Sequence, residues 1–302
     1  MRELALFKRH SPKKKEKPSV FSIVIVIFLL LYTAALVALL WWGLMTAFKN
    51  NLRDYRLNKV GWPKEWTIDN FVKVYKEFAM PIHNGDDTVS FPMLFLYGFL
   101  YSLGCAFAAS FVPCVTSYLC AKFDYKLSKI IYLIVVVTMI LPIVGSLPAE
   151  IKMAKTLHIY NQIWGTWILK ANFLGLYFIV FYNYFRSMPN AYIEAAKIDG
   201  AGNLRILFRV ILPMARPLFL TVLLLNFITF WNDYQVPLVY LDDYPTVAVG
   251  MYKMAFSTVG GKISNVPCRC AAASLMLLPI LIIFLAFHKK LLGNLTMGGI
   301  KG

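Results

Sequence analysis

Apolar runs long enough to cross a bilayer constrain this chain more than any other feature. Residues 20–48 are almost entirely apolar. A helix crosses a membrane core with about 20 apolar residues, since it rises about 1.5 Å per residue through about 30 Å of hydrocarbon. The run is too long for the core of a signal peptide, roughly 7–15 residues, and no clear small-residue cleavage site follows it, so it reads as a retained span. Five further runs lie at about 91–121, 130–147, 163–185, 214–236 and 271–287. They predict an all-α polytopic membrane protein with six transmembrane helices, both termini on one side. Composition agrees: 59% of the 302 residues are apolar and 15% charged, against about half and a quarter in a soluble domain.

The formal net charge is +16. No basic, aromatic-bearing domain stands outside the apolar runs, so nucleic acid is not an expected partner. The charge follows the bias that keeps Lys and Arg in cytoplasmic loops. Lys122, Lys126 and Lys129 crowd one short connection; Arg186, Lys197, Arg205, Arg209 and Arg216 occupy another; Lys289 and Lys290 follow the last run. An N-terminus inside puts all three groups in the cytoplasm. It leaves Asp54, Glu65, Asp69, Glu77, Asp86, Asp87, Asp242 and Asp243 outside. The expected layout is a basic cytoplasmic tail (1–19), a first transmembrane helix (20–48), an extracellular loop (49–90) with a little local structure, the remaining spans, and a cytoplasmic tail (289–302). The lysine-rich first tail also suits contact with anionic membrane lipid.

Between the fourth and fifth runs stands "EAAKIDGAGNLRILFRVILP", residues 194–213. Pro189 suits a first helical turn, and Ala195 and Ala196 are strong helix formers small enough for another surface to approach closely. Asp199-Gly200 is a stop-and-turn signal, with glycine suited to the left-handed conformation at a helix end. Asn203 is placed to cap a second helix, on which Arg205 and Arg209 lie four apart. Leu212-Pro213 marks the approach to the fifth span. On these residues alone the hairpin is either an interfacial connector or a handle for a cytoplasmic partner.

The same residues resemble the coupling loop of ATP-binding-cassette (ABC) importer permeases: Glu-Ala-Ala, three residues, Gly, nine residues, Ile, one residue, Leu-Pro. Glu194, Ala195, Ala196, Gly200, Leu212 and Pro213 fall at that spacing, with Val210 in place of the isoleucine. "FWNDY" (230–234) and the C-terminal "LTMGGIKG" resemble the carbohydrate, maltose-type branch, and within it the smaller, MalG-like six-span subunit. "TIDNF" (67–71) and "SYLCAKF" (117–123) fit more loosely. The resemblance implies a type I importer permease in a bacterial plasma (inner) membrane, with a transmembrane domain over about 97–288 and a coupling loop over 187–213. It implies as partners a larger, MalF-like permease, two ATPase subunits and an extracellular solute-binding protein. Glu194 would pair with a basic ATPase residue, Ala195 and Ala196 would permit close seating, and Asp199 and Gly200 would form the bend.

A phosphate-cradling GxxxxGK[ST] loop is missing from the sequence, so ATP is expected on the partner subunits, with no cofactor, metal or catalytic residue in this chain. Candidates for the translocation path are Asn172 and Asn183 in the fourth run, Asn226 in the fifth, and a polar notch of Trp231, Asn232 and Asp233 at its outer end. Polar side chains at membrane depth are functional candidates. Each has an alternative: interhelical hydrogen bonding for the asparagines, and interface anchoring for Trp231 and Asp233. Glu150 and Lys152 read as gate or loop residues. The five cysteines read as small side chains packed between helices.

Overall fold

The computed structural model describes residues 19–50, 52–82, 87–123, 125–141, 145–256 and 265–295. The tail 1–18, His83, Asp86, Pro142 and residues 296–302 of the C-terminal motif lie outside the described residues.

The first run forms α1 (Val20–Ala47), and only Met45, Thr46 and Ala47 of it are buried. Its Ile, Leu and Val side chains are exposed along almost the whole helix, which packs chiefly on α14 (Val266–Leu295). Residues 49–90 fold into more than a loop. They form α2 (Leu52–Leu57), α3 (Asp69–Glu77) and an antiparallel hairpin of β1 (Ala79–Ile82) and β2 (Asp87–Ser90), in register Ala79↔Ser90 to Ile82↔Asp87. Among the described residues the fold is therefore mostly helical with one small antiparallel strand pair, not all-α. Buried Asn70 ties this cap to the end of α1, donating to the carbonyls of Ala47 (2.8 Å) and Lys49 (2.7 Å). The buried Lys49 ammonium donates to the Asn58 and Lys59 carbonyls just beyond α2, where a helix end favours a cation.

The second run is α4 (Phe91–Lys122), the spine of the molecule. At 32 residues it spans about 48 Å. Small residues on it admit close neighbours, as in membrane helix packing. The next run differs from its expected bounds: α5 (Lys126–Ile140) starts earlier and ends sooner, and α6 (Leu147–Thr156), with Pro148 in its first turn, is a separate helix.

The fourth run is broken. Helix α7 (Ile163–Lys170) stops, residues 171–175 are irregular, and α8 (Leu176–Ser187) begins after Gly175 at φ 119°. A continuous helix over 163–185 is thus corrected, because Gly175 adopts a backbone that L side chains rarely reach. The two pieces still run along one neighbour. On the first half of α4, the Trp167 indole donates to the Leu100 carbonyl (3.2 Å) and Thr166 lies 3.5 Å from the Cys105 thiol. On the second half, Tyr118 packs edge-on to Phe185 at 5.6 Å. The break therefore lies at mid-height.

After α8 come α9 (Ala191–Ile198), α10 (Asn203–Ile206), a π-helical turn (Leu207–Ile211) and α11 (Leu212–Trp231). The last three form one unbroken helix of 29 residues, Asn203–Trp231. The helix of the fifth apolar run therefore starts at Asn203, well before the expected 214, and ends five residues before the expected 236. The short α12 (Gln235–Tyr240) and α13 (Val247–Phe256) follow. Helix α14 opens at Val266, so "PCRC" lies within its first turns. Among the described residues, four helices are long and apolar enough to cross a membrane: Val20–Ala47, Phe91–Lys122, Asn203–Trp231 and Val266–Phe287.

Two cores lie at opposite ends of α4. One joins α3, the β-hairpin, the start of α4, the end of α11, α13 and α14, around Phe78, Leu94, Phe227, Trp231 and Met254. The other joins the end of α4 to α8, the π turn and the start of α11, around Tyr118, Phe181, Phe185, Ile206 and Ile211. The second is the basic end, with Lys122, Arg186 and the charges of the hairpin. All five cysteines are free thiols, four of them buried.

The α4–α7 contact depends on Gly104, where an added Cβ would overlap the Trp167 ring. Gly104→Ala should destabilise the purified chain by about 1–3 kcal/mol, the usual cost of overpacking. Gly43→Ala, with nothing within 4 Å of its Cβ, should leave thermal unfolding in detergent unchanged or slightly raised.

Candidate functional site

The hairpin at the basic end is closed by its own backbone. Helix α9 ends at Asp199 as C-cap, and Gly200 follows at φ 77°. The Ala201 amide donates to the Ala196 carbonyl (2.9 Å) and the Gly200 amide to the Lys197 carbonyl (3.0 Å). That pair of bonds is the Schellman closure, and it places glycine where the sequence reading put it. Asn203 differs from expectation. Gly202 is the N-cap of α10, with the Ile206 amide on its carbonyl (3.0 Å), and Asn203 lies one position inside with no capping bond.

Immediately beyond, the Leu212 amide donates to the Leu207 carbonyl, five residues back. The cause lies in Pro213. A proline in a helix has no amide to give the carbonyl four residues earlier, here Arg209, and its ring crowds that carbonyl. Widening the preceding turn to π geometry relieves the crowding without breaking the helix. The Leu-Pro ending thus shapes the joint between hairpin and span.

No residue of α9 is buried. Glu194, Ala195, Asp199, Gly200 and Pro213 are exposed, while Ala196 and Leu212 are half-buried against the basic-end core. The hairpin also presents Tyr192, Ile198, Leu204 and Phe208, which are 49%, 86%, 73% and 55% exposed. Sequence reasoning weighed the charges and small residues of this element and passed over those four. An exposed apolar group rimmed by charge marks a surface for a partner. Lys122, read from the sequence only as a topology charge, has a second role. Its ammonium donates to the Met188 carbonyl (2.5 Å) and to Asn190 Oδ1 (2.8 Å), pinning the root of α9 to the end of α4. Nothing in periodicity or spacing signals a contact across 68 residues.

The path candidates fall into two groups. Asn226 donates to the Ser110 hydroxyl (2.9 Å), joining α11 to α4. Trp231 is buried, its indole donating to the Met276 carbonyl on α14 (3.0 Å). Asp233 accepts from the Tyr101 hydroxyl (2.8 Å) with one oxygen, and from the Gln235 and Val236 amides (2.9 and 3.2 Å) with the other. It therefore caps α12 and fastens it to α4. Asn172 and Asn183 are exposed, Asn172 within the break between α7 and α8. Asn232 is also exposed, and its amide returns to the Ile228 carbonyl (2.8 Å).

Glu150 takes the Ser146 hydroxyl (2.5 Å) and faces the Tyr240 hydroxyl (3.5 Å), linking α6 to α12; Lys152 is exposed. Nearby, Asn161, at φ 58°, donates its amide to the Tyr240 carbonyl, and its side chain exchanges bonds with Asp243. Burial first, then Asp242, pushes the Tyr160 phenol up. Burial first, then Glu150, does the same to Tyr240. Both stay protonated donors at neutral pH.

The capping role of Asp233 is open to test. Asp233→Ala should lower thermal stability in detergent by about 1–3 kcal/mol, for a lost cap and an orphaned buried Tyr101 hydroxyl. Asp233→Asn, which keeps an acceptor oxygen, should recover most of it.

A family model described as binding-protein-dependent transport system inner membrane component matches residues 114–293. The chain is 28% identical over 190 residues to the melibiose/raffinose/stachyose import permease protein MelC of Bacillus subtilis, covering 62% of this chain and 68% of that one. It is 22% identical over 260 residues to the diacetylchitobiose uptake system permease protein NgcG of Streptomyces coelicolor, covering 85% and 82%. Its structure is similar, with a TM-score of 0.71 and 19% identity, to a chain in the crystal structure of a bacterial ABC transporter involved in the import of the acidic polysaccharide alginate. That match covers 92% of this chain and 99% of the other; at such identity it is a likeness of fold.

Proposed function

The chain belongs to the family of binding-protein-dependent transport system inner membrane components, and from that premise we propose that it forms half of the path by which an ABC importer takes up a sugar or oligosaccharide. The relatives named for melibiose, raffinose, stachyose and diacetylchitobiose support a carbohydrate cargo. In this reading the chain crosses the membrane six times with both termini in the cytoplasm. Helices α1, α4 and α5, the broken α7–α8, the unit α10–α11 and α14 would be the spans. The basic end faces the cytoplasm, and the β-hairpin end faces the solute-binding protein. A second, larger permease completes the path, and two ATPase subunits bind below.

The observation that carries the coupling role is the exposed apolar group on the hairpin, Tyr192, Ile198, Leu204 and Phe208, beside Glu194 and the small Ala195. This is a seat for a protein surface, on an element closed at Gly200 and continuous with α11. When ATP closes the ATPase dimer, the seated hairpin moves and α11 moves with it. Taking a two-state equilibrium from 1:99 to 99:1 needs about 5.5 kcal/mol of differential stabilisation, which ATP and the loaded binding protein would share. Glu194 pairs with a basic ATPase side chain, and Gly200 holds the bend. Sugar passes the break in α7–α8, where Asn172 offers an exposed side-chain amide, and Asn232 beyond α11. Asn226, Trp231 and Asp233 act on the path by holding α11 and α12 against α4 and α14.

Breaking one side of a buried ion pair costs a few kcal/mol. Glu194→Ala should therefore weaken co-purification of the ATPase with the tagged chain at least about tenfold, and reduce uptake by the intact importer. Gly200→Val should do the same by excluding positive φ. Normal ATPase recovery and normal uptake in both variants would refute the coupling assignment.

A further inference from the structure

Helix α1 is longer than a bilayer core is thick. Its 28 residues span about 42 Å, against about 30 Å of hydrocarbon. Residues 20–40 are apolar but for Ser22, Tyr32 and Thr33, and the Thr33 hydroxyl is spent on the Leu29 carbonyl (2.8 Å). About 20 residues fill the core, so a core entered at Val20 is left near Leu39. Trp41 and Trp42 then stand at headgroup level, where indole rings collect because they are apolar in body and polar at one edge. The helix continues to Ala47, about 8 Å beyond Trp42. The chain after α2 does not stay at that height but returns along α1. The Trp42 indole donates to the Lys59 carbonyl (2.8 Å), and the Trp62 ring packs edge-on to Trp41 at 5.6 Å. The returning turn is stiffly held. The Lys49 ammonium donates to the Asn58 and Lys59 carbonyls. Asn58 Oδ1 accepts from the Gly61 amide (2.9 Å), and the Asn58 side-chain amide donates to the Trp62 carbonyl (2.7 Å).

That turn carries side chains ill suited to water. Leu57, Val60 and Trp62 are 72%, 83% and 62% exposed, although none of the bonds that hold the turn needs an apolar side chain there. Arg56 and Lys59 stand among them and are exposed too. Apolar and aromatic groups interleaved with basic ones suit a segment lying in the interface of a membrane. On α1 beside the turn, Leu39, Leu40 and Trp41 are exposed as well, so the lipid that covers the end of the span reaches the turn without a step. We propose that residues 57–62 form an interfacial anchor, with Leu57, Val60 and Trp62 in the headgroup layer of the leaflet at the Trp41 end and Arg56 and Lys59 among the lipid phosphates. The proposal rests on the reading above that α1 crosses the membrane, and it moves this turn from the aqueous loop to the bilayer surface. It also gives the turn a role. Asn70 on α3 holds the Ala47 and Lys49 carbonyls, and Lys49 holds the turn. The anchor thus sets the height at which the folded segment 49–90 stands over the membrane.

The test uses the assembled importer in lipid nanodiscs, spin-labelled in turn at Val60, at Leu31 midway along α1 and at Thr88 on the β-hairpin, all three exposed. Power saturation compares collisions with oxygen, which concentrates in hydrocarbon, and with a water-soluble nickel chelate. Leu31 should be oxygen-rich and nickel-poor, and Thr88 the reverse. Val60 should fall between them, with an oxygen-to-nickel ratio severalfold above that of Thr88, as for a side chain about 5–10 Å into the interface. A ratio at Val60 equal to that at Thr88 would put the turn in water and overturn the proposal. Low access of both reagents to Val60 would mean a protein cover, by the second permease or the solute-binding protein, and would overturn it equally. Leu31 reached by nickel as freely as Thr88 would show that α1 is not a span, and would remove that reading together with the anchor. An aqueous or protein-covered Val60 beside an oxygen-rich Leu31 would remove the anchor alone.

Discussion

The backbone runs without a break from Asn203 to Trp231, and the Schellman bonds at Gly200 and Ala201 close the end of α9 just before that run. Everything proposed for the hairpin depends on this continuity. A surface helix joined to a span by a loose loop would transmit little, because the loop would absorb the movement. Here only residues 199–202, closed onto α9 by two backbone hydrogen bonds, separate it from one helix that reaches the far end of α11. Lys122 adds a second anchor from α4. The π turn ahead of Pro213 is the one irregular step. It keeps the helix intact across a residue that would otherwise break it.

Much of this was legible in the chain. The runs at 20–48 and 91–121 became α1 and α4 almost to the residue, because a bilayer demands length and apolarity and little else. Gly200 was legible because only a residue without Cβ turns that corner freely. The misses have equally physical causes. Apolar character cannot distinguish α7 and α8 from one helix, since the break at 171–175 sits in residues as apolar as their neighbours. The fold of 49–90 depends on Asn70 and the buried Lys49, whose bonds reach across up to 23 residues. In the polar notch, Asp233 serves Tyr101 and the start of α12, partners that spacing along the chain does not reveal.

Most of α1 and much of α5 expose apolar side chains, as surfaces meeting acyl chains or a second permease must. The basic end differs. There apolar groups are interleaved with cations, on the hairpin as Ile198 and Leu204 beside Lys197 and Arg205, and where α4, α5 and α8 meet as Ile130 beside Lys129. Lys122 and Asn190 join the two places, since the Lys122 ammonium at the end of α4 holds the root of α9.

The rigidity of the α9–α11 unit is the central claim, and distance measurement tests it directly. Spin labels at Tyr192 on α9 and Thr229 near the end of α11, with a third at Leu36 on α1, would be followed by electron paramagnetic resonance. The assembled importer would be compared with and without ATP. The account predicts that the Tyr192–Thr229 distance distribution stays the same while the Tyr192–Leu36 distribution shifts. A change between Tyr192 and Thr229 as large as that to Leu36 would mean that the hairpin bends independently of the span, and would contradict the account.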